Sequence, residues 1–225
     1  MTKKKWISCI GWLLGCMLIG EPPRLKAESN APIRIEGRRE LFVDTFLIDR
    51  MEGTRLVLHP PHDEGVVLKF DRPWEGAFCG YVTVIKDGGT YRFYYRGLPA
   101  AGRDGNSNEV TCYAESTDGI HVTKPRLGLF EINETKDNNV ILAGAAPVHH
   151  NFCPFLDTRP GIPPEQRYKA LGGTKASGLL AFVSGNGIHW RKLRETPVIS
   201  QGAFDSQNVA FWSAAEEGYL CYLRT

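Results

Sequence analysis

Three carboxylates, a histidine pair, three amides and a tryptophan stand beside the starts or ends of apolar, strand-like runs, where a side chain can reach the mouth of a sheet. Glu75 precedes Gly80-Tyr81-Val82-Thr83-Val84-Ile85, Asp157 follows Asn151-Phe152-Cys153-Pro154-Phe155-Leu156, and Asp205 precedes Asn208-Val209-Ala210-Phe211-Trp212. Carboxyl groups can exchange a proton with a ligand or attack an electrophilic carbon. Each also has a purely structural reading: Glu75 could cap a turn, and Asp157 and Asp205 could close Asx turns with the residues that follow them. His149-His150-Asn151 leads directly into the second run. A neutral imidazole binds metals and donates or accepts hydrogen bonds, but adjacent residues on a strand face opposite sides, so the two rings do not make a metal pair. His150 and Asn151 are therefore read as ligand contacts, together with the amides Gln207 and Asn208. Trp74, Trp190 and Trp212 offer faces on which a ring could stack, although aromatics between sheets more often serve as packing. Trp190 reads as packing of that kind.

The elements that must position these groups are strands. From Ser29 onward helical periodicity is almost absent; runs of four to eight residues rich in Val, Tyr, Phe and Thr alternate with Gly, Asn, Asp and Pro, the strand-and-turn signature. Lys86-Asp87-Gly88-Gly89 predicts a hairpin between Gly80–Ile85 and Tyr91–Arg96. Val110–Ser116 predicts a strand that turns at Asp118-Gly119 into Ile120-His121-Val122, and Pro160–Arg167 an irregular loop. The chain also repeats. Ser116–Lys124 aligns without a gap to Ser184–Lys192, 68 residues later, Tyr91–Gly97 to Tyr168–Gly173, and Tyr81–Ile85 to Asn151–Leu156. A third start runs from Asn208, turns at Glu217-Gly218 and continues as Tyr219–Arg224. About four short strands per repeat is the pattern of a β-propeller blade. Two repeats, half of a third and an N-terminal piece from Ile33 to Leu68, read as a separate strand pair, fall short of the roughly four blades a propeller needs to close. The residues are accordingly expected to be the N-terminal two to three blades of a longer protein, the alternative being a small β-sandwich.

The composition agrees with a folded domain, at 42% hydrophobic and 23% charged residues. The balance of 27 Lys+Arg against 25 Asp+Glu makes no field that would gather nucleic acid. Residues 1–27 read as an export signal: Met1–Lys5 supply a basic run, Trp6–Gly20 an apolar one, and Glu21-Pro22-Pro23 end it. The apolar stretch falls short of the roughly 20 residues that span a bilayer, so no stable membrane span is expected and the mature domain, residues 28–225, is placed outside the cytoplasm, secreted or periplasmic. Leu13-Leu14-Gly15-Cys16 resembles a lipobox, which would leave a lipid anchor on Cys16; the simpler reading makes Cys16 part of the apolar run. Cys79, Cys112, Cys153 and Cys221 are widely spaced inside apolar runs with no CxxC pair, which excludes a zinc motif and suits buried thiols. Neither a metal nor a cofactor is read.

A resemblance rests on Glu40–Asp49, Pro73-Trp74-Glu75-Gly76, Gly80-Tyr81, Tyr91–Gly97, Ser116–Gly119 with Lys124-Pro125, Asp137-Asn138-Asn139, His150-Asn151-Phe152 and Pro154–Asp157. This set is similar to exported bacterial proteins, frequent in planctomycetes, that are related to the N-terminal domain of glycoside hydrolase family 32. The resemblance covers roughly Glu36–Thr225 and implies an all-β, five-bladed β-propeller of the invertase, levanase and arabinanase kind. It further implies a poly- or oligosaccharide as partner and a central funnel whose carboxylates flank a glycosidic bond. Family 32 enzymes place these carboxylates in Trp-x-Asn-Asp-Pro-Asn, Arg-Asp-Pro and Glu-Cys, and none of the three occurs here. Catalytic candidates follow from position instead: Asp205, Glu75 and Asp157, with His150, Asn151, Gln207, Asn208 and Trp74 as sugar contacts. Asp44 and Asp49 replace them if Leu41–Ile48 is the first inner strand. A non-catalytic glycan-binding or structural propeller, or an inactive gene fragment, is the competing expectation.

Overall fold

The computed structural model describes residues 33–37 and 40–225. It divides into two units, Met1–Pro61 and His62–Thr225. The described residues of the first unit form no strand and no helix. Residues 43–47 are bends and turns and no strand runs through 41–48, which removes the condition under which Asp44 and Asp49 would stand on an inner strand; among the described residues from 33 to 68, where a strand pair is expected, no strand forms. The export signal lies outside the described residues. None of the described helices is long and apolar enough to cross a membrane.

The second unit is all-β and antiparallel. Its first sheet runs in chain order through β1 (Gly80–Asp87), β2 (Thr90–Gly97), β3 (Val110–Ser116) and β4 (Val140–Leu142). The second repeats this order with β5 (Cys153–Leu156), β6 (Tyr168–Gly172), β7 (Leu180–Ser184) and β8 (Arg191–Lys192), and a third contains β9 (Val209–Ser213) and β10 (Gly218–Tyr222). The first strands lie side by side, β1 against β5 and β5 against β9. Both faces of the central strands are covered, so β2 reads as an unbroken aromatic run: Phe93 and Tyr95 enter one core cluster with Trp74, Cys112 and Val140, while Tyr94 enters another with Ile85, Tyr113, Ile141 and Tyr168. Trp190 fills the space between the first two sheets, edge-on to Tyr94 and Phe152. Leu171, Leu179, Ala181, Phe204 and Ala210 form the core between the second and third.

The predicted repeat is exact down to individual hydrogen bonds at its turns. Ser116 Oγ accepts from the N–H of Asp118 and Gly119, and Asp118 Oδ1 accepts from Ile120 and His121. Ser184 and Asn186 make the same four bonds with Asn186, Gly187, Ile188 and His189. One expected strand moves. Ile120–Val122 is a bend tied by a single bridge between Glu115 and Thr123, and the fourth place in the first sheet is taken by β4, after a loop closed by the Asn138 side chain. Gly97 and Gly172 end the second strands of the two sheets at equivalent points. A Cβ there would come to 2.5 Å from the Trp74 carbonyl and 2.6 Å from the Val148 carbonyl, so the entry to each first strand passes where only glycine leaves room.

A second repeated device joins consecutive sheets. Asp87, the last residue of β1, accepts from Tyr168 and Arg167 at the start of β6. Asp157, just past β5, accepts from Tyr219 Oη of β10 at 2.6 Å and from Lys169 Nζ at 2.6 Å. Burial works against the charge of Asp157, but these donors outweigh it and hold its carboxyl below the ordinary value of 3.8; Asp87 is lowered by the same balance with Tyr168 and Arg167.

Candidate active site

The candidate residues separate into scaffold and cleft. Glu75 is fully buried. Its oxygens accept from Tyr95 Oη at 2.6 Å, Lys124 Nζ at 2.7 Å and the Arg72 N–H at 2.9 Å. Trp74 is buried beside it and donates from Nε1 to Asn139 Oδ1 at 2.7 Å, so its face belongs to the core. Asp157 stands at the far end of β5 from His150, held by the inter-sheet contacts above. Gln207 spans the first strands by donating from Nε2 to the Tyr81 carbonyl at 3.0 Å and to Thr83 Oγ1 at 2.9 Å. Asn151 is buried, donating to the Phe204 carbonyl at 2.7 Å and accepting from the Gly173 N–H at 2.9 Å; Asn208 is buried close by and donates to the same carbonyl at 3.4 Å.

Asp205 and His150 come together. They line one cleft of about 350 Å³ with Arg103, Asp104, Thr174, Lys175, Ala176, Ala203 and Phe204. The cleft opens where the entries to β5 and β9 meet the connections β2–β3 and β6–β7. Asp205 projects from a loop fixed at its base: the Phe204 ring is buried in the core, the Phe204 carbonyl is held by Asn151, and the N–H groups of Ala203 and Phe204 donate to the Arg224 carbonyl at 2.9 and 3.2 Å. Its carboxylate is about half exposed and pairs with Arg224. The flanking residues Phe204 and Ser206 have φ of 53° and 71°, a left-handed backbone that costs a non-glycine residue of order 1–3 kcal/mol and persists where the surroundings over-determine it, often at functional sites. Tyr81, at a register shift in β1, has φ of 54° and sets its ring 5.5 Å from His150 and 4.7 Å from the Arg96 guanidinium.

His150 lies in a 3-10 turn, Val148–Asn151, that leads into β5. Its Nδ1 is 2.9 Å from Arg96 Nη1 and 3.1 Å from Glu109 Oε1. Arginine can only donate and a carboxylate only accept, so this nitrogen serves Glu109 when protonated and Arg96 when not. In the second case the neutral ring carries its proton on Nε2, which is 3.8 Å from Asp104 Oδ2 at the cleft. Glu109 is fully buried, accepts from the Gly105 N–H at 3.1 Å, and has no partner on Oε2. His149 turns the other way: Nε2 accepts from the Ala145 N–H at 2.9 Å, leaving Nδ1 to donate to Thr111 Oγ1 at 3.1 Å, and burial lowers it to about 4.

Asp104 and Glu109 were missed at the level of sequence. They sit in Ala101–Glu109, a loop whose only signal is turn composition; its length between two paired strands is what would have marked it. The thiols offer no nucleophile: Cys79, Cys112, Cys153 and Cys221 are free, and burial pushes Cys79 up to about 12. Among the described residues no group of three His, Cys, Asp or Glu could hold a metal ion.

No family model and no curated protein matches the chain. Among solved structures, a variant fructofuranosidase from Schwanniomyces occidentalis, complexed with fructosylnystose, is similar at TM-score 0.42 and 16% identity. The likeness covers 70% of this chain and 33% of that one, and at this level it carries no weight for activity.

Proposed function

We propose that the protein is an exported, glycoside-hydrolase-like β-propeller that takes a glycan in the cleft between the entries to β5 and β9. The observation that carries this reading is the convergence of two exposed carboxylates, Asp205 and Asp104, on one cleft with the oriented imidazole of His150. Hydrolysis of a glycosidic bond needs a pair of carboxyl groups across it, and this pair stands at the strand entries, the end of the sheets at which the resemblance to family 32 places its funnel. Two sheets of four strands in chain order, with their first strands adjacent, support the propeller. In this reading Asp205 is the nucleophile or base, Asp104 the proton donor, and His150 a contact to sugar hydroxyls. Glu75 and Asp157 support the scaffold, because every oxygen contact they make is spent inside the fold.

A second reading, a propeller that binds glycan without cleaving it, is favoured by one observation: Asp205 is already paired with Arg224, which weakens a carboxylate as a nucleophile. A panel of fructans, arabinans and other polysaccharides, tested for both binding and sugar release, separates the two. Release that is lost in Asp205→Asn and Asp104→Asn supports hydrolysis; binding that is weakened in His150→Ala with no release in the wild type supports the second. If nothing on the panel binds, both fall.

A further inference from the structure

We infer that the ligand of this cleft is an acidic sugar, one that carries a carboxylate or a sulfate, with Arg103 and Lys175 as its anion contacts; the inference rests on the glycan reading above. Arg103 lies in the connection β2–β3 and Lys175 in the corresponding connection β6–β7 of the next sheet, and both line the cleft with Asp205. Both are exposed, and among the described residues neither side chain has an ion-pair partner. The other charges around the cleft are accounted for. Arg224 pairs with Asp205, and Arg96 is engaged by His150, the Phe78 carbonyl and the Tyr81 ring, with Glu109 buried beside His150. Asp104, three-quarters exposed, faces only the His150 imidazole, 3.8 Å away, and no Lys or Arg. Two cations without an acidic partner against this one carboxylate leave the cleft electropositive.

The rest of the lining argues the same way. Neutral sugars are commonly gripped by the face of a Trp, Tyr or Phe ring, but the one such ring of this lining, Phe204, is 1% exposed. What remains is Thr174, Ala176 and Ala203, small side chains that leave the two cations as the strongest potential contacts of the cleft. A guanidinium presents a planar fork that matches carboxylate and sulfate geometry, and an ammonium adds a point charge.

The test measures binding of the full chain at about 0.15 M salt, where interactions between distant surface charges are largely screened. Polygalacturonate supplies the carboxylate arm, dextran sulfate the sulfate arm, and inulin and arabinan the neutral arm. Binding in at least one anionic arm, weakened about tenfold or more in Arg103→Ala/Lys175→Ala and unchanged in Arg191→Ala on β8, is the expected result. The arm that binds tells carboxylate from sulfate. Equal weakening by Arg191→Ala marks general attraction to a polyanion and overturns the inference. Binding of inulin or arabinan that is indifferent to the double substitution also overturns it, and leaves the glycan reading standing. Absence of binding in all arms removes the glycan reading itself.

Discussion

Replacing Glu75 by alanine removes a buried carboxylate from the turn that precedes β1 and tests its assignment to the scaffold. Three donors converge on it: the Lys124 ammonium at 2.7 Å, the Tyr95 hydroxyl at 2.6 Å and the Arg72 N–H at 2.9 Å. Lys124 is 11% exposed and keeps Asp71, at 3.0 Å, as its other acidic partner. Breaking one side of a buried ion pair costs about 3–5 kcal/mol, most of it the penalty on the group left behind. The surviving contact to Asp71 places Glu75→Ala at the lower end of that range, about 3 kcal/mol. At roughly 2–4 °C per kcal/mol for a domain of this size, Tm should fall by about 10 °C. Glu75→Gln retains the side-chain volume and should lose less. Glu75→Leu combined with Lys124→Met removes both charges, and should recover part of the loss, a coupling that a double-mutant cycle reads directly. Thermal melts by circular dichroism at neutral pH suffice. A Tm within about 2 °C of wild type for Glu75→Ala would refute the reasoning and return Glu75 to the catalytic candidates.

The remaining predictions concern protonation, the turns and the glycine positions. His149 is held neutral with a folded value near 4 against an ordinary 6.5, so the unfolded chain binds the extra proton between those values and stability is lost as pH falls through that window. The loss reaches about 3 kcal/mol by pH 4, and a stability–pH profile should flatten in His149→Gln. The Asp118 carboxylate, 2.6 Å from His121 Nδ1, raises that histidine above its ordinary value by hydrogen bond and charge. Asp118→Asn should bring the His121 titration down by NMR with little change in Tm, since Asn186 already makes the same backbone bonds in the second repeat. Gly172→Ala forces a Cβ against the Val148 carbonyl and should cost about 1–3 kcal/mol in chemical denaturation; an unchanged midpoint would contradict the close approach.

The repeat was legible because its turns are chemically demanding. Ser-x-Asp/Asn-Gly-Ile-His needs a side-chain oxygen at two fixed places and a glycine at positive φ, at Gly119 and Gly187, so the pattern survives in the sequence. The order of strands followed from it. The fourth strand of the first sheet did not, because Val140–Leu142 is delivered by a loop whose closure depends on one asparagine, Asn138. The polar residues were harder for a physical reason. Asp157 is explained by Tyr219, 62 residues away, and Gln207 by β1, more than 120 residues away; no local pattern contains either partner. Asp205 and His150 both flank the entries to first strands, and they meet at one cleft because the first strands of adjacent sheets are themselves adjacent.

Whether Asp205 acts on a glycan in the cleft is read by sugar release from the wild type and from Asp205→Asn on a saccharide that both bind. Loss of a general acid, base or nucleophile costs of order 10² or more in rate. The wild type should release sugar, Asp205→Asn should lose at least that much rate, and its Tm should stay within about 2 °C, as suits a half-exposed surface residue. Release that survives the substitution undiminished would contradict that role for Asp205.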